Sequence, residues 1–250
     1  MKLLLYDGTF EGFLTAVFEV YEYKIEQPQI KRGDTVNGSL FGAPHIIQTN
    51  DAKAKRVLSK LEQKISKTGI NQLYKCFLSE LRDIENVLLG YIQYVIFAKS
   101  EAENDYGHPD VLQLQQISKK VYREKHRMEA FVRFQLTKDE LYYAIIQPDY
   151  DVLPLIANHF KERYADQRWL IYDCRRKYGL YYDLNEVSEV MIDFNESSIE
   201  GPDIYDENEG LYQQLWKQYF DSVNIKARKN MKLHIQHVPK RYWRFLIEKQ

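Results

Sequence analysis

Residues 141–184 read LYYAIIQPDYDVLPLIANHFKERYADQRWLIYDCRRKYGLYYDL, and this segment determines the fold class that we predict. Three short runs in it are rich in aromatic and β-branched residues, which is typical of strands: LYYAIIQP (141–148), WLIYD (169–173) and YGLYYDL (178–184). Between the first two runs, VLPLIANHFKERY (152–164) has a proline near its start and predicts a short helix.

The residues just before this segment extend the same pattern. AFVRFQL (130–136) has strand composition, and the TKDE that follows it is a tight connection, so we expect a hairpin with residues 141–148. Pro109 starts a helix that runs to about Met128. After the strands, RYWRFLIE (241–248) predicts a terminal helix.

The N-terminal part of the chain reads as mainly helical. Thr9 can cap one helix and Asp51 another, each with an apolar stripe behind it. Prolines and glycines in residues 28–50 indicate a loop with room for one short strand. Residues 70–99 are compatible with helix throughout, and Gly90 is the predicted break.

This order of elements predicts an α+β fold, in which an antiparallel sheet (about residues 130–192) packs with N-terminal and C-terminal helices. Alternating βα units of a parallel sheet are not expected. We predict one domain over residues 1–250. A weak internal boundary near residues 101–109 separates a mainly helical half (1–100) from a mixed half (110–250).

Composition narrows the class of protein. The chain has 250 residues, 44% of them hydrophobic, which suffices for a sizeable core. The sequence has no apolar run of the roughly 18 to 20 residues that a membrane helix needs, and its opening segment is too short for a secretory signal. Because Cys76 and Cys174 are the only cysteines, a reduced compartment is expected. The sequence therefore predicts a cytoplasmic globular protein.

Charge is unevenly distributed along the chain, although the formal net charge is only -1. Residues 178–216 contain ten acidic residues and no Lys or Arg, whereas residues 222–250 contain eight basic residues and one acidic one. The formal net charge of the whole chain therefore excludes only a protein that is basic throughout its length. The acidic segment can fold back on the basic ones or bind a basic partner.

Several catalytic classes are excluded by missing motifs. The sequence has no Walker A loop, no G-x-G-x-x-G, no H-E-x-x-H and no G-x-S-x-G. Two cysteines are too few to ligate an iron–sulfur cluster, which generally takes about four protein ligands. We therefore expect no cofactor and no metal site, and the chain is not itself a radical-SAM enzyme.

Two basic segments are candidate nucleic-acid surfaces. In residues 119–134, basic residues recur at helical spacing, and in residues 226–245 they alternate with aromatic residues. Cations can bind phosphates while flat rings stack on bases. A solvated helix face and an amphipathic closing helix are the alternative interpretations. The candidate binding residues are Lys119, Arg123, Arg127, Arg133, Arg163, Lys240, Arg241, Tyr242 and Arg244.

Three residues are candidates for catalysis. His126 lies in the first basic segment, and His159 is one helical turn from Arg163, so the two histidines could supply acid–base chemistry on an anionic ligand. Asp173 ends a predicted strand, where a site could form. The alternative for each histidine is a structural role.

Five quoted segments together resemble a known bacterial family. They are YDGTFEGFLTAVF (6–18), HRMEAFVRF (126–134), PDYDVLPLIANHFKERYADQRWLIYD (148–173), LWKQYF (215–220) and HVPKRYWRFL (237–246). The family has no assigned function and carries the label of a DNA metabolism protein. Its members are typically encoded beside a radical-SAM protein assigned to DNA modification or repair, and a related domain is fused to uracil-DNA glycosylase-like proteins.

The charge distribution, the candidate residues and the resemblance together allow three functions. The first is a DNA-associated accessory protein that acts with a radical-SAM partner in DNA modification or repair. The second is an enzyme that acts directly on nucleic acid, using His126 and His159 with Arg133 or Arg163. The third is a structural protein-interaction module. The family's recurrent polar positions fall here on His126, Arg133, His159, Arg163, Asp173, Pro239, Arg241 and Tyr242.

Overall fold

The computed structural model describes residues 2–33, 44–98, 102–191, 206, 209–223 and 235–249. It shows mixed helices and sheets, so the α+β prediction is confirmed. The chain forms two compact units, Met1–Tyr122 and Arg123–Gln250. The division falls inside a long helix, whereas the sequence suggested a weak boundary near residues 101–109, just before that helix. The single-domain interpretation stays a prediction.

The first unit contains a small parallel sheet and several helices. Its strands are β1 (Lys2–Tyr6), β2 (Pro28–Arg32) and β3 (His45–Ile46), in the order β2-β1-β3. Strand β1 is parallel to both neighbours. The helices are α1 (Phe10–Glu22), α2 (Asp51–Glu62), α3 (Lys67–Phe77), α4 (Ile84–Phe97) and the start of α5 (Pro109–Phe131), with a 3₁₀ turn at Ala102–Asn104.

The sequence missed the parallel pairing of β1 with β2. Helix α1 is the crossover that joins these strands, as parallel pairing requires. Pro28 had indicated a loop, but it is the first residue of an edge strand, where its missing N–H removes little from the ladder. The expectation of no βα units is therefore wrong for this sheet.

The predicted helix boundaries in this unit need three corrections. Thr9 caps α1 as expected, but Asn50 rather than Asp51 caps α2, and its side chain accepts from the Lys53 N–H at 3.0 Å. The break in residues 70–99 lies between α3 and α4, where Glu80 and Asp83 have positive φ. Gly90 is inside α4, and a Cβ there would lie 2.3 Å from an Asp110 carboxylate oxygen. Close packing therefore explains this glycine.

The second unit contains the sheet that the sequence predicted, together with helices on either side of it in the chain. Its strands are β4 (Gln135–Leu136), β5 (Tyr142–Ile146), β6 (Trp169–Asp173), β7 (Tyr178–Tyr182) and β8 (Val187–Met191). They lie in the order β4-β5-β6-β7-β8. The helical elements are the end of α5, α6 (Leu153–Arg163), α7 (Glu209–Val223) and the 3₁₀ segments Lys240–Phe245 and Ile247–Lys249.

Pairing in this sheet is antiparallel except between β5 and β6, which are parallel because α6 crosses over between them. The predicted hairpin exists but is short. Helix α5 continues to Phe131, so only Gln135–Leu136 of residues 130–136 pair with β5. The predicted C-terminal helix is formed by 3₁₀ segments.

Aromatic packing holds α6 on the sheet. Trp169 of β6 is fully buried, and its ring lies 6.2 Å from Phe160 of α6 and 5.5 Å from Tyr182 of β7. Phe134 packs edge-on against Phe160 at 5.7 Å. Since Phe134 and Phe160 also face the cleft described below, this core positions the cleft wall.

Candidate functional site

The second unit has a cleft of about 800 Å³ lined by α5, the β4–β5 hairpin, α6 and α7. Much of its wall is aromatic, and two of the rings, Tyr212 and Trp216 of α7, are 53% and 38% exposed. The aromatic lining residues are Phe134, Tyr142, Phe160, Tyr164, Tyr212 and Trp216. A cleft with this lining can hold a flat ligand.

Both predicted catalytic histidines line this cleft. Nδ1 of His126 lies 3.8 Å from one carboxylate oxygen of Glu129, and Nδ1 of His159 lies 3.8 Å from the other. Lys125 donates a 2.5 Å hydrogen bond to Glu129. The His126 side chain is 78% exposed and that of His159 is 36% exposed, so solvent reaches both imidazoles.

Arg163 also faces the cleft, one helical turn after His159 on α6. Its guanidinium lies over the Tyr164 ring, 5.8 Å from the centroid, and the residue is exposed. Helix α5 and helix α6 thus bring His126, His159 and Arg163 into one cleft, from positions separated by 37 residues at most.

Arg133 also lines the cleft, but its guanidinium is paired with Glu248. Its guanidinium donates to both carboxylate oxygens of Glu248, at 2.7 and 3.3 Å, and lies over the Trp216 ring at 5.3 Å. The Trp216 indole donates to the same carboxylate at 2.9 Å. Burial by itself raises the pKa of Glu248, but the hydrogen bonds from Arg133 and Trp216 outweigh it and hold that pKa below its usual value. Arg133 therefore fixes Trp216 in the wall.

Glu209 holds the first turn of α7 against the sheet. This buried carboxylate accepts from the Leu136 N–H at 2.9 Å and from the Gln213 side chain at 3.1 Å. The Asp206 N–H donates to the Leu136 carbonyl at 3.0 Å. These bonds place Tyr212 and Trp216, one and two turns further along α7, at the cleft.

Several predicted binding residues instead surround a buried carboxylate, Glu124. Glu124 is 1% exposed and accepts from the Tyr242 hydroxyl, from the Asp149 N–H at 2.8 Å, and from Arg127 and Arg241 at 3.4 Å each. Arg241 also pairs with Asp149 at 2.8 Å. Tyr242 is 2% exposed, and burial, followed by the contact with Glu124, raises the pKa of its hydroxyl. Its ring is thus part of the core.

The other predicted basic residues are exposed and do not line the cleft. Lys119 and Arg123 lie on α5, Lys119 within the first unit. In the C-terminal 3₁₀ segment, Lys240 lies over the Trp243 ring at 5.9 Å, and Arg244 donates to the Gln147 side chain.

Asp173 is fully buried and is not part of the cleft lining. Its carboxylate accepts from the Arg175 N–H at 2.9 Å and from the Arg176 N–H at 3.3 Å, and pairs with the Arg176 guanidinium at 2.7 Å. These contacts close the β6–β7 turn. Asp173 therefore has a structural role and is not accessible as an acid or base.

Sequence reasoning missed the two glutamates that organise these clusters. Glu129 follows His126 by three residues on one helix, and this spacing could have indicated it. Its approach to His159, and the many partners of Glu124, depend on tertiary packing. The middle of the acidic segment, residues 192–205, lies outside the described residues.

No group of three or more His, Cys, Asp or Glu side chains in the described part of the chain could hold a metal ion. Within the same residues, every helix is too short or too polar to cross a membrane.

Comparison with known proteins gives one match. A family model for a domain of unknown function, DUF4130, matches residues 82–248. No curated protein and no solved structure matches the chain.

Proposed function

The chain belongs to the DUF4130 family of domains of unknown function. We propose that its second unit binds single-stranded nucleic acid in the cleft. The observation that carries the proposal is the lining: exposed Tyr212 and Trp216 lie in one cleft with His126, His159 and Arg163. Aromatic rings stack on bases of any sequence, and neighbouring cations bind the backbone phosphates. In a duplex the faces of the bases are stacked on one another, so they could not stack on these aromatic rings.

The sequence resemblance supports DNA as the nucleic acid. On that basis we propose an accessory protein that holds a DNA strand while a radical-SAM partner modifies or repairs it. The exposed basic residues of the second unit outside the cleft, Arg123, Lys240 and Arg244, would then contact more distant phosphates of the same strand.

The stacking role predicts a specific loss of affinity. Replacing Tyr212 by Ala should weaken binding of a single-stranded oligonucleotide by about tenfold or more, because one stacked base contributes about 1–3 kcal/mol. Fluorescence anisotropy with a labelled oligonucleotide measures this change. Tyr23→Ala is the matched control, since Tyr23 is 54% exposed and lies in the first unit. Equal losses in the two variants would show that Tyr212 does not stack on the strand.

A second candidate is an enzyme acting directly on nucleic acid. The observation that favours it is the placement of both histidine Nδ1 atoms toward Glu129, which leaves each Nε2 on the opposite side of its ring. A carboxylate behind an imidazole is a common arrangement for acid–base catalysis. Strand cleavage that is lost in His159→Gln, while binding persists, would favour this candidate.

A further inference from the structure

We propose that His126, His159 and Arg163 form a subsite for the terminal phosphate of a nucleic-acid strand. This inference rests on the proposed function, because the aromatic wall must hold the adjoining base. It goes further by naming the part of the strand that the cleft recognises, a phosphomonoester at an end.

The three side chains converge from two helices. His159 and Arg163 project from the same side of α6 one turn apart, and His126 comes from α5. Each histidine presents Nδ1 to Glu129 at 3.8 Å, so its Nε2 is directed away from that carboxylate. Protonated imidazoles held in this way can donate through Nε2 to a ligand oxygen.

The other charged groups at the cleft are paired within the protein. Arg133 is bonded to Glu248, and the Glu209 carboxylate accepts from Leu136 and Gln213. Lys125 offsets the charge of Glu129. The charges that respond to an entering anion are therefore those of the two histidines and Arg163.

The charge and shape of a terminal phosphate suit this set. A phosphomonoester carries about −1.5 to −2 charges at pH 7 and three acceptor oxygens, whereas an internal phosphodiester carries one charge and has chain on both sides. Three donor side chains match three oxygens. His126 and Arg163 are exposed, so a phosphate can reach the subsite from solvent, and the aromatic residues line the same cleft.

The preference for a phosphorylated end should depend on pH. Imidazole side chains ordinarily gain their proton near about pH 6.5, and a phosphomonoester loses its second proton near about pH 6. A positively charged imidazole and a doubly charged phosphomonoester therefore coexist best at about pH 6 to 7. The preference for a phosphorylated end should therefore fall as the pH rises to about 8.

The test compares three oligonucleotides of one sequence: 5′-phosphorylated, 3′-phosphorylated and unphosphorylated. At about pH 6.5, one or both phosphorylated forms should bind the full chain about tenfold more tightly than the unphosphorylated form, as expected for charge-assisted hydrogen bonds. At about pH 8 the ratio should shrink. Inorganic phosphate should displace the phosphorylated form preferentially.

Variants distinguish binding of the terminal phosphate at this subsite from non-specific electrostatic attraction of the strand. Arg163→Gln and His159→Gln should weaken binding of the phosphorylated strands far more than binding of the unphosphorylated strand, so that the preference is lost. The matched controls Lys138→Gln and His237→Gln, which alter exposed residues outside the cleft, should retain it. Equal binding of all three strands at about pH 6.5 would overturn the inference and leave the proposed function intact. Failure of every strand to bind would overturn both.

Discussion

Replacing Trp169 by Ala should destabilise the second unit by about 3–5 kcal/mol, the cost typical of removing a large aromatic side chain from a core. Trp169 is fully buried among Phe134, Phe160 and Tyr182, with ring centroids 5.5 to 6.4 Å away. Its indole N–H has no hydrogen-bond partner among the described residues, so the loss comes from packing and from the cavity left behind. Because Phe134 and Phe160 form part of the cleft wall, binding of a strand should also weaken.

Urea unfolding followed by circular dichroism measures this loss as a lower midpoint. Trp169→Phe is the matched control, since it keeps an aromatic ring on Phe160 and should recover much of the stability. An alanine variant within about 1 kcal/mol of the original chain would contradict the packing described for this core, because that is the cost of an ordinary substitution.

Replacing Glu124 by Ala should have an effect of similar size for an electrostatic reason. This carboxylate is 1% exposed and accepts hydrogen bonds from Tyr242, Asp149, Arg127 and Arg241. Its removal leaves the Tyr242 hydroxyl and the Asp149 N–H without their acceptor and Arg241 with one carboxylate fewer. Breaking a buried pair from one side costs about 3–5 kcal/mol. The same unfolding measurement applies.

Two further variants identify the cause. Glu162→Ala removes the same charge from an exposed position on α6 and should change stability by less than about 0.5 kcal/mol. Tyr242→Phe removes the hydrogen bond that the hydroxyl donates to Glu124 and the one that it accepts from Arg241, and should cost about 1–2 kcal/mol, less than Glu124→Ala. If Glu124→Ala were no more destabilising than Glu162→Ala, the network around Glu124 would not hold the C-terminal segment in place.

The local pattern of the sequence predicted the elements of the second unit better than their pairing. Strands β5, β6 and β7 and helix α6 lie where their composition indicated. The parallel pairing of β5 with β6 was not predicted, because it follows from the crossover of α6 and not from either strand's residues. Strand β2 was missed for a related reason: its proline is tolerated only because the strand lies at a sheet edge.

The site was partly visible in the sequence. Helical spacing placed His159 and Arg163 on one side of α6, and His126 was singled out within the basic segment. The partner of Arg133 is Glu248, 115 residues later in the chain, and no local pattern connects them. Tyr212 and Trp216 are positioned by the contacts of Glu209 with β4, and Trp216 also by its hydrogen bond to Glu248. Because such contacts are long-range, the sequence could not show that Arg133 is paired while Arg163 is exposed in the cleft.

Binding of single-stranded nucleic acid in the cleft can be measured by titrating the full chain with a labelled single-stranded DNA at two salt concentrations. We predict saturable binding that weakens as salt rises, with a slope of log K against log salt of about −0.7 for each phosphate neutralised. An unlabelled single strand should compete better than a duplex of the same sequence. Absence of binding at low salt, or an affinity indifferent to salt, would contradict the proposed binding.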